Sequence, residues 1–83
     1  CILFDIGVVF HTLKDYETAL HYYHLAEAFL NEHFGLSYNI GLCYHYLGNN
    51  QQALFYLKNA KKLNPNSVDT QKWIDFVSQK TMA

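Results

Sequence analysis

Apolar residues recur along the chain at the spacing of amphipathic helices, in five separate stretches. The first stretch predicts a helix from Ile2 to about Leu13, in which apolar residues lie three or four positions apart. The second predicts a helix from Tyr16 to about Glu32, and Asp15 before it is a suitable N-cap. Its apolar stripe consists of Ala19, Tyr23, Ala26 and Leu30, widened by Leu20 and Phe29.

Turn residues divide the second half of the chain into three further helices. The third is predicted from near Gly35 to Leu47, and the glycine that follows it, Gly48, suits the left-handed residue that ends a helix. The fourth is capped by Asn49 and runs to about Leu63, because Pro65 prevents its continuation. A fifth helix is predicted from Val68 to about Gln79, with Asn66-Ser67 offering the cap. The pattern therefore predicts an all-α fold.

The sequence repeats itself without a gap when its first half is laid over its second half. The aligned pairs include Ile6-Gly7 with Ile40-Gly41, Phe10 with Tyr44, Ala19-Leu20 with Ala53-Leu54, Tyr22 with Tyr56 and Ala26 with Ala60. Chance would not place glycines, alanines and aromatic residues together at one shift. The first four helices are therefore interpreted as two copies of one helical hairpin.

These repeated residues resemble the tetratricopeptide repeat (TPR), a family with a period of about 34 residues and two antiparallel helices in each repeat. The second copy carries the family pattern at Ile40-Gly41, Tyr44, Gly48, Ala53, Leu57, Ala60 and Pro65. The first copy carries it at Leu3, Ile6-Gly7, Phe10, Tyr16, Ala19, Tyr23 and Ala26. The resemblance implies an α-solenoid of two antiparallel helix hairpins, wound as a short right-handed superhelix, with a fifth helix that caps it.

Several residues depart from the family pattern. Ser37 stands where a large residue is usual, Lys14 replaces the turn glycine, and Asn31 replaces the first proline, so that the second helix could run on to His33. Asp75 stands where a glycine would fall, which favours a capping helix over a third repeat. We expect a single domain over residues 1–83, with repeat one at 1–33, repeat two at 34–66 and the capping helix at 67–83. Because the chain opens within a helical pattern and without Met, we interpret it as a fragment of a longer protein.

The resemblance assigns the packing between helices to small and aromatic residues. Gly41 and Ala53 would let the paired helices approach closely, while Tyr44 and Ala60 would fill the space between neighbouring repeats. The predicted packing residues are Gly7, Phe10, Ala19, Ala26, Gly41, Tyr44, Ala53, Ala60 and Pro65.

The resemblance also implies a concave groove along the first helix of each repeat. It assigns to this groove Phe4, Val8, His11, Thr12, Tyr38, Leu42, His45, Tyr46, Lys72, Phe76, Gln79 and Lys80. The groove is apolar and aromatic, so we expect Tyr38, Leu42 and Phe76 to anchor an apolar or amphipathic protein segment. A clamp for the acidic tail of chaperones is not expected, because Phe4 and Val8 stand where that version of the family needs Lys and Asn.

The predicted function is protein–protein interaction, as a scaffold or as a module that recognises a protein or peptide. One alternative is a regulatory domain that senses a short peptide. Another is a purely structural segment that self-associates as a homodimer or packs against neighbouring repeats of a parent chain. Three aromatic side chains on the outer face, Tyr22, Phe55 and Tyr56, leave dimerisation open.

Composition and charge exclude several other functions. The net charge is −1, with six Lys and no Arg, so the chain lacks the clustered cations of a nucleic-acid platform. No apolar run approaches the ~18 residues of a membrane span, and no signal peptide is recognisable. Two cysteines cannot form a disulfide framework. Cys43 is expected to be a small buried hydrophobe, which favours a reducing, cytoplasmic location.

The remaining polar residues predict no catalysis, cofactor or metal site. His21 and His24 lie three positions apart on one helix face without an acidic or Cys partner on the same stripe, so a solvated face is expected. His11 and His45 take equivalent places on successive helices, roughly 8–10 Å apart, which is too far to share a metal. Partner contact or surface placement is expected for both. The carboxylates are scattered and the glycines unclustered, which argues against a catalytic site and a phosphate loop.

Overall fold

The computed structural model describes residues 1–82 of the chain. That part of the chain contains α1 (Ile2–Thr12), α2 (Tyr16–Ala26), α3 (Phe34–Tyr46), α4 (Asn50–Leu63) and α5 (Val68–Met82). The helices pack in chain order, with α1 on α2, α2 on α3, α3 on α4 and α4 on α5. The predicted all-α architecture of two helix hairpins and a fifth helix is confirmed. Ala83, the last residue assigned to the capping helix, lies outside the described residues.

Both hairpins have the same turn, which follows from the internal repeat. In the first, the amide of Lys14 donates to the carbonyl of His11 at 3.0 Å, and that of Asp15 to the carbonyl of Phe10 at 2.9 Å. The second hairpin has both bonds at the equivalent residues of the next repeat, at the same two distances. This pattern closes a helix with a left-handed residue. The φ angles of +65° at Lys14 and +85° at Gly48 meet that requirement.

Side-chain caps begin four of the helices in residues 1–82. Those of α2, α4 and α5 had been predicted, whereas that of α3, in which Nδ1 of His33 accepts from the amide of Leu36 at 3.0 Å, had not. The side chain of Asp15 accepts a hydrogen bond from the amide of Thr18 at 3.3 Å. Asn49, the equivalent residue of the second repeat, starts α4 in the same way and also at 3.3 Å. Ser67 accepts from the amide of Thr70 at 3.3 Å and thereby starts α5. Each cap satisfies an amide that has no partner within its own helix.

The end of α2 differs from the prediction. The helix stops at Ala26, well before Glu32, and does not continue to His33. The Ala26 carbonyl accepts from the amides of both Phe29 and Leu30, at 2.9 and 3.0 Å, so the chain tightens into a turn. Glu32 then takes a left-handed φ of +51°. As a consequence Phe29, which was expected to widen the apolar stripe of α2, is 72% exposed.

The core consists of two clusters, one between the two hairpins and one between the second hairpin and the fifth helix. The first joins α2 to α3 and contains Ala19, Leu20, Tyr23, Ala26, Leu36, Ile40 and Cys43. The second joins α4 to α5 and contains Ala53, Leu57, Ile74 and Val77. Tyr44 packs against both clusters. The small side chains that the repeat pattern supplies are therefore buried at the helix–helix contacts.

Two buried glycines allow the paired helices to come close within each hairpin. A Cβ atom at Gly7 would lie 2.5 Å from Cδ1 of Tyr23. At Gly41 it would lie 2.8 Å from Cγ of Leu57 and 3.2 Å from the carbonyl oxygen of Ala53. Because the two glycines occupy equivalent positions of the repeat, and so do the two facing side chains, the two hairpins pack by the same contact.

Candidate functional site

The residues predicted to line the groove lie on α1, α3 and α5. They differ in how far solvent reaches them. The exposed ones are Val8, Thr12, Tyr46, Lys72, Phe76, Gln79 and Lys80, whereas Phe4, His11, Tyr38, Leu42 and His45 are half-buried. Tyr46 and Phe76 are the largest exposed apolar side chains of the set, at 48% and 45%. These two rings are therefore the most accessible aromatic surface of the set.

An aromatic cluster surrounds the exposed rings. The ring of His45 lies 5.3 Å from Trp73 and 5.4 Å from Phe76, both edge-on. Tyr46 meets Trp73 at 6.1 Å and stacks on Tyr16 of α2 at 4.7 Å. These separations are in the range in which aromatic pairs attract each other beyond their buried area. The cluster consequently holds Tyr46 and Phe76 in fixed positions.

A cavity of about 270 Å³ opens beside the cluster, lined by Asp69, Lys72, Trp73 and Phe76. Two of these residues, Lys72 and Phe76, were predicted groove residues. Asp69 and Trp73 were not. The Nζ of Lys80 lies 5.2 Å from the centre of the Phe76 ring, within reach of a cation–π attraction. The cavity therefore combines aromatic walls with charges of both signs.

Two of the anchors expected from the sequence contribute mainly to the core. Tyr38 and Leu42 both pack against the second core cluster. The ring of Tyr38 also stacks on Phe34 at 5.5 Å, and burial raises the pKa of its hydroxyl. Only part of each side chain is left for a partner. Phe76 is the more accessible of the three predicted anchors.

His11, for which partner contact or surface placement was expected, is half-buried between helices. Its Nδ1 lies 3.3 Å from the hydroxyl of Tyr23 and 3.5 Å from Sγ of Cys43, so the ring bridges three helices. Burial lowers the pKa of His11. His45 is likewise half-buried, and within residues 1–82 its buried Nδ1 has no hydrogen-bond partner. Of the two expected placements, simple surface placement does not describe either half-buried histidine, and partner contact stays a prediction.

Cys43 is fully buried, as predicted. Burial raises the pKa of its thiol to about 12. Although His11 is its neighbour, a buried thiol that stays protonated is a poor nucleophile, because the thiolate is the reactive form. The contact between His11 and Cys43 is therefore best described as a packing contact.

His24 belongs to a network that joins the two repeats. Its Nδ1 lies 2.6 Å from Oε1 of Glu27, and its Nε2 lies 3.0 Å from the hydroxyl of Tyr44. The hydroxyl of Tyr56 donates to the other oxygen of Glu27 at 3.4 Å, and burial together with Glu27 raises the pKa of Tyr56 to about 12. The expectation that His24 has no acidic partner on its stripe was therefore wrong.

Over the described residues, no three His, Cys, Asp or Glu side chains are grouped so that they could hold a metal ion. Nor does any helix there have the length and apolar character that crossing a membrane requires.

Comparison with known protein families gives a match over the second hairpin. Residues 36–67 match the family model of the tetratricopeptide repeat. The match begins within α3 and ends at the N-cap of α5, so it covers the contact between Gly41 and Leu57. The comparison with curated proteins gave no match. Tetratricopeptide repeats are typically non-enzymatic and generally mediate protein–protein interaction or scaffolding. The chain therefore carries a tetratricopeptide repeat at residues 36–67, within an all-α, TPR-like solenoid.

Proposed function

We propose that the chain is a protein-interaction module that binds an apolar or amphipathic segment of a partner protein in the groove along α1, α3 and α5. The observation that carries this proposal is the pair of exposed rings, Tyr46 and Phe76, beside a cavity. Single exposed apolar side chains are ordinary on protein surfaces. Aromatic rings that are held in place next to a cavity are typical of the anchors that dominate binding energy.

The size of the cavity supports a side chain as its occupant. At about 270 Å³ it falls just below the ~300–1,000 Å³ of typical small-molecule sites. An apolar side chain of the partner would rest against Trp73 and Phe76, and Asp69 and Lys72 at the edge would orient polar groups of its backbone. The partner would be a protein or peptide, with no requirement for a cofactor, a metal or nucleic acid.

We propose the remaining roles on the same basis. The binding surface would include Phe4, Val8, His11, Tyr38, Leu42, His45, Tyr46, Lys72 and Phe76. The packing set Gly7, Phe10, Ala19, Ala26, Gly41, Tyr44, Ala53, Ala60 and Pro65 would hold the helices in place. The domain would comprise repeat one at 1–33, repeat two at 34–66 and a capping helix at 67–83. Both cysteines are free, which supports a cytoplasmic location.

A selection from a phage-displayed random peptide library tests the groove. We expect the selected peptides to share a large apolar residue and to bind Phe76→Ala about tenfold or more weakly, which is the loss typical of an anchor. Tyr46→Ala should weaken the same peptides. Both rings are about half exposed, so thermal unfolding should show that the variants remain folded.

Phe55→Ala is the matched control, because Phe55 is a 65% exposed ring on α4, outside the groove. It should leave peptide affinity unchanged. Peptides that tolerate Phe76→Ala but lose affinity for Phe55→Ala would move the binding site to the outer face and contradict the proposal.

A further inference from the structure

We infer that the outer side of α4 is a self-complementary surface, on which a second copy of this chain docks to form a two-fold dimer. The surface has Phe55 at its centre, with a cavity that carries two carboxylates on one side and a cavity that carries two lysines on the other. None of these side chains belongs to the proposed peptide groove, so the inference does not rest on that proposal.

The two cavities meet at Phe55. The acidic cavity, of about 300 Å³, lies between the turn after α2 and the helices α3 and α4, and it is lined in part by Glu27 and Glu32. The basic cavity, of about 270 Å³, follows α4 and is lined in part by Lys58 and Lys62. Phe55 lines both cavities and therefore stands between them. Opposite charges are thus separated across one aromatic ring.

The charges in both cavities are largely uncompensated within residues 1–82. None of Glu32, Lys58 and Lys62 forms a salt bridge there, and all three are exposed. In the same part of the chain Glu27 pairs with His24 at 2.6 Å and with no lysine. Lys58 and Lys62 lie four positions apart on α4, a spacing at which like charges repel each other. A surface of opposite charge over each cavity would relieve this repulsion.

A two-fold axis supplies the opposite charges. In a two-fold dimer the same patch serves on both sides, and the axis lies in the interface. An axis beside Phe55, at right angles to the line that joins the two cavities, puts the basic cavity of one copy over the acidic cavity of the other. The same match then occurs a second time across the axis. The surface is therefore complementary to itself in charge, and such complementarity fixes the register of docking.

Phe55 supplies the apolar centre of this interface. Its ring is 65% exposed and meets the ring of Tyr56 edge-on, with centroids 5.2 Å apart. At the axis it would contact the same ring of the second copy, inside a border of charged side chains. An apolar centre with a polar rim is the usual anatomy of a protein–protein interface.

Contacts within the chain hold the walls of the acidic cavity in place. Nδ2 of Asn59 donates to Oγ of Ser37 at 2.8 Å. The hydroxyl of Tyr56 donates to Oε2 of Glu27 at 3.4 Å. These side chains are already ordered before a second copy arrives, which lowers the entropic cost of association.

Other occupants fit the surface less well. The acidic cavity beside the lysines would repel a nucleic acid or another ligand that carries phosphate. A protein segment of a single charge would satisfy one cavity and be repelled by the other. A second copy of the chain carries both charges at the correct separation by symmetry, so it is the occupant that the charges favour.

Sedimentation equilibrium of the natural chain tests the inference. At about 100 µM, a concentration that suits a weak interface, we expect a monomer–dimer equilibrium. Raising the NaCl concentration from about 0.05 M to about 0.5 M should weaken the dimer about tenfold, because salt shortens the range of charge interactions. Phe55→Ala should also weaken it about tenfold, as the loss of a central ring does. A chain that stays monomeric, or a dimer that salt does not weaken, would overturn the inference.

An exchange of charges distinguishes this surface from any other. The variant K58E/K62E makes both cavities acidic. The variant N31K/E32K makes both cavities basic, because Asn31 also lines the acidic cavity, and it leaves the contacts of Glu27 intact. Each variant alone should be monomeric, whereas an equimolar mixture of the two should form a heterodimer. All four substituted residues are exposed, so thermal unfolding should show that both variants remain folded.

Lys14→Glu is the matched control, since it removes a positive charge at an exposed turn of the first repeat, outside both cavities. It should dimerise as the natural chain does. If either double variant alone dimerises as strongly as the natural chain, or if the mixture stays monomeric, the second copy does not dock on the outer side of α4.

Discussion

Lys14 adopts a backbone conformation that the sequence pattern reserves for glycine. The turn that closes α1 has the same two hydrogen bonds as the turn that closes α3, although one has Lys and the other Gly at the left-handed position. A residue with a Cβ is destabilised by roughly 1–2 kcal/mol in this left-handed conformation, whereas glycine is not. The repeat geometry therefore determines the backbone conformation at residue 14, and Lys14 is strained in that conformation.

Exchanging the two turn residues should change stability in opposite directions. Lys14→Gly should raise the free energy of unfolding by about 1 kcal/mol, and Gly48→Lys should lower it by about the same amount. At Gly48 a Cβ would meet no atom within 4 Å, so the expected loss there comes from the backbone alone. Urea unfolding at one pH measures both effects.

The double variant K14G/G48K is the internal control, because effects at separate turns should add and nearly cancel. A Gly48→Lys variant as stable as the natural chain would contradict the argument from left-handed strain.

The elements of the fold could largely be predicted from the sequence, because helical periodicity and N-caps depend on residues only a few positions apart. The caps at Asp15, Asn49 and Ser67 illustrate this. The end of α2 could not be predicted in this way. Leu30 continues the apolar stripe at helical spacing, yet it reaches the first core cluster from a turn. Only the packing of that turn against α3 distinguishes a turn at Leu30 from a longer α2 that includes it.

The close contact within each hairpin gives a prediction for α3. Replacing Gly by Ala inside a helix normally stabilises it by about 1 kcal/mol. Gly41→Ala should not show this gain, because the new Cβ would meet Leu57 and the backbone of Ala53. Gly41→Leu should lower the free energy of unfolding by about 2–3 kcal/mol, as is usual for overpacked cores.

Denaturant unfolding of the two Gly41 variants measures this effect. The loss in the free energy of unfolding should grow with the size of the new side chain. If Gly41→Ala instead gains the full stabilisation that alanine normally gives inside a helix, α3 and α4 do not need a glycine at their contact.

The candidate site was only partly predictable at the scale of the whole molecule. The repeat pattern predicted groove positions on three helices, and the exposed Tyr46 and Phe76 are among them. It could not show which of those positions are covered, because the covering side chains come from distant parts of the chain. Tyr16 of the first repeat stacks on Tyr46 of the second, and His11 likewise reaches Cys43. Such contacts depend on how one repeat sits on the next.

Because His11 touches α2 and α3 from α1, its protonation should affect the stability of the whole chain. The groups facing it are the rings of Tyr16 and Tyr23 and the thiol of Cys43, and these contacts within residues 1–82 include no carboxylate that would favour the protonated ring. Burial lowers the pKa of His11 below 6.5. In the interval between the folded and the unfolded pKa, the unfolded chain binds more protons, and the free energy of unfolding therefore rises with pH.

The contribution of His11 should be present above about pH 6.5 and should be lost as the pH falls through its lower, folded pKa. Urea unfolding followed by circular dichroism at about pH 7.5 and about pH 5.5 measures it, since a domain of this size is expected to unfold cooperatively. His11→Gln should reduce the difference between the two pH values, whereas His21→Gln, at an exposed position of α2, should leave it unchanged. If His11→Gln keeps the full difference, acid acts on the chain through other groups, and His11 is not the residue that couples protonation to the packing of the two repeats.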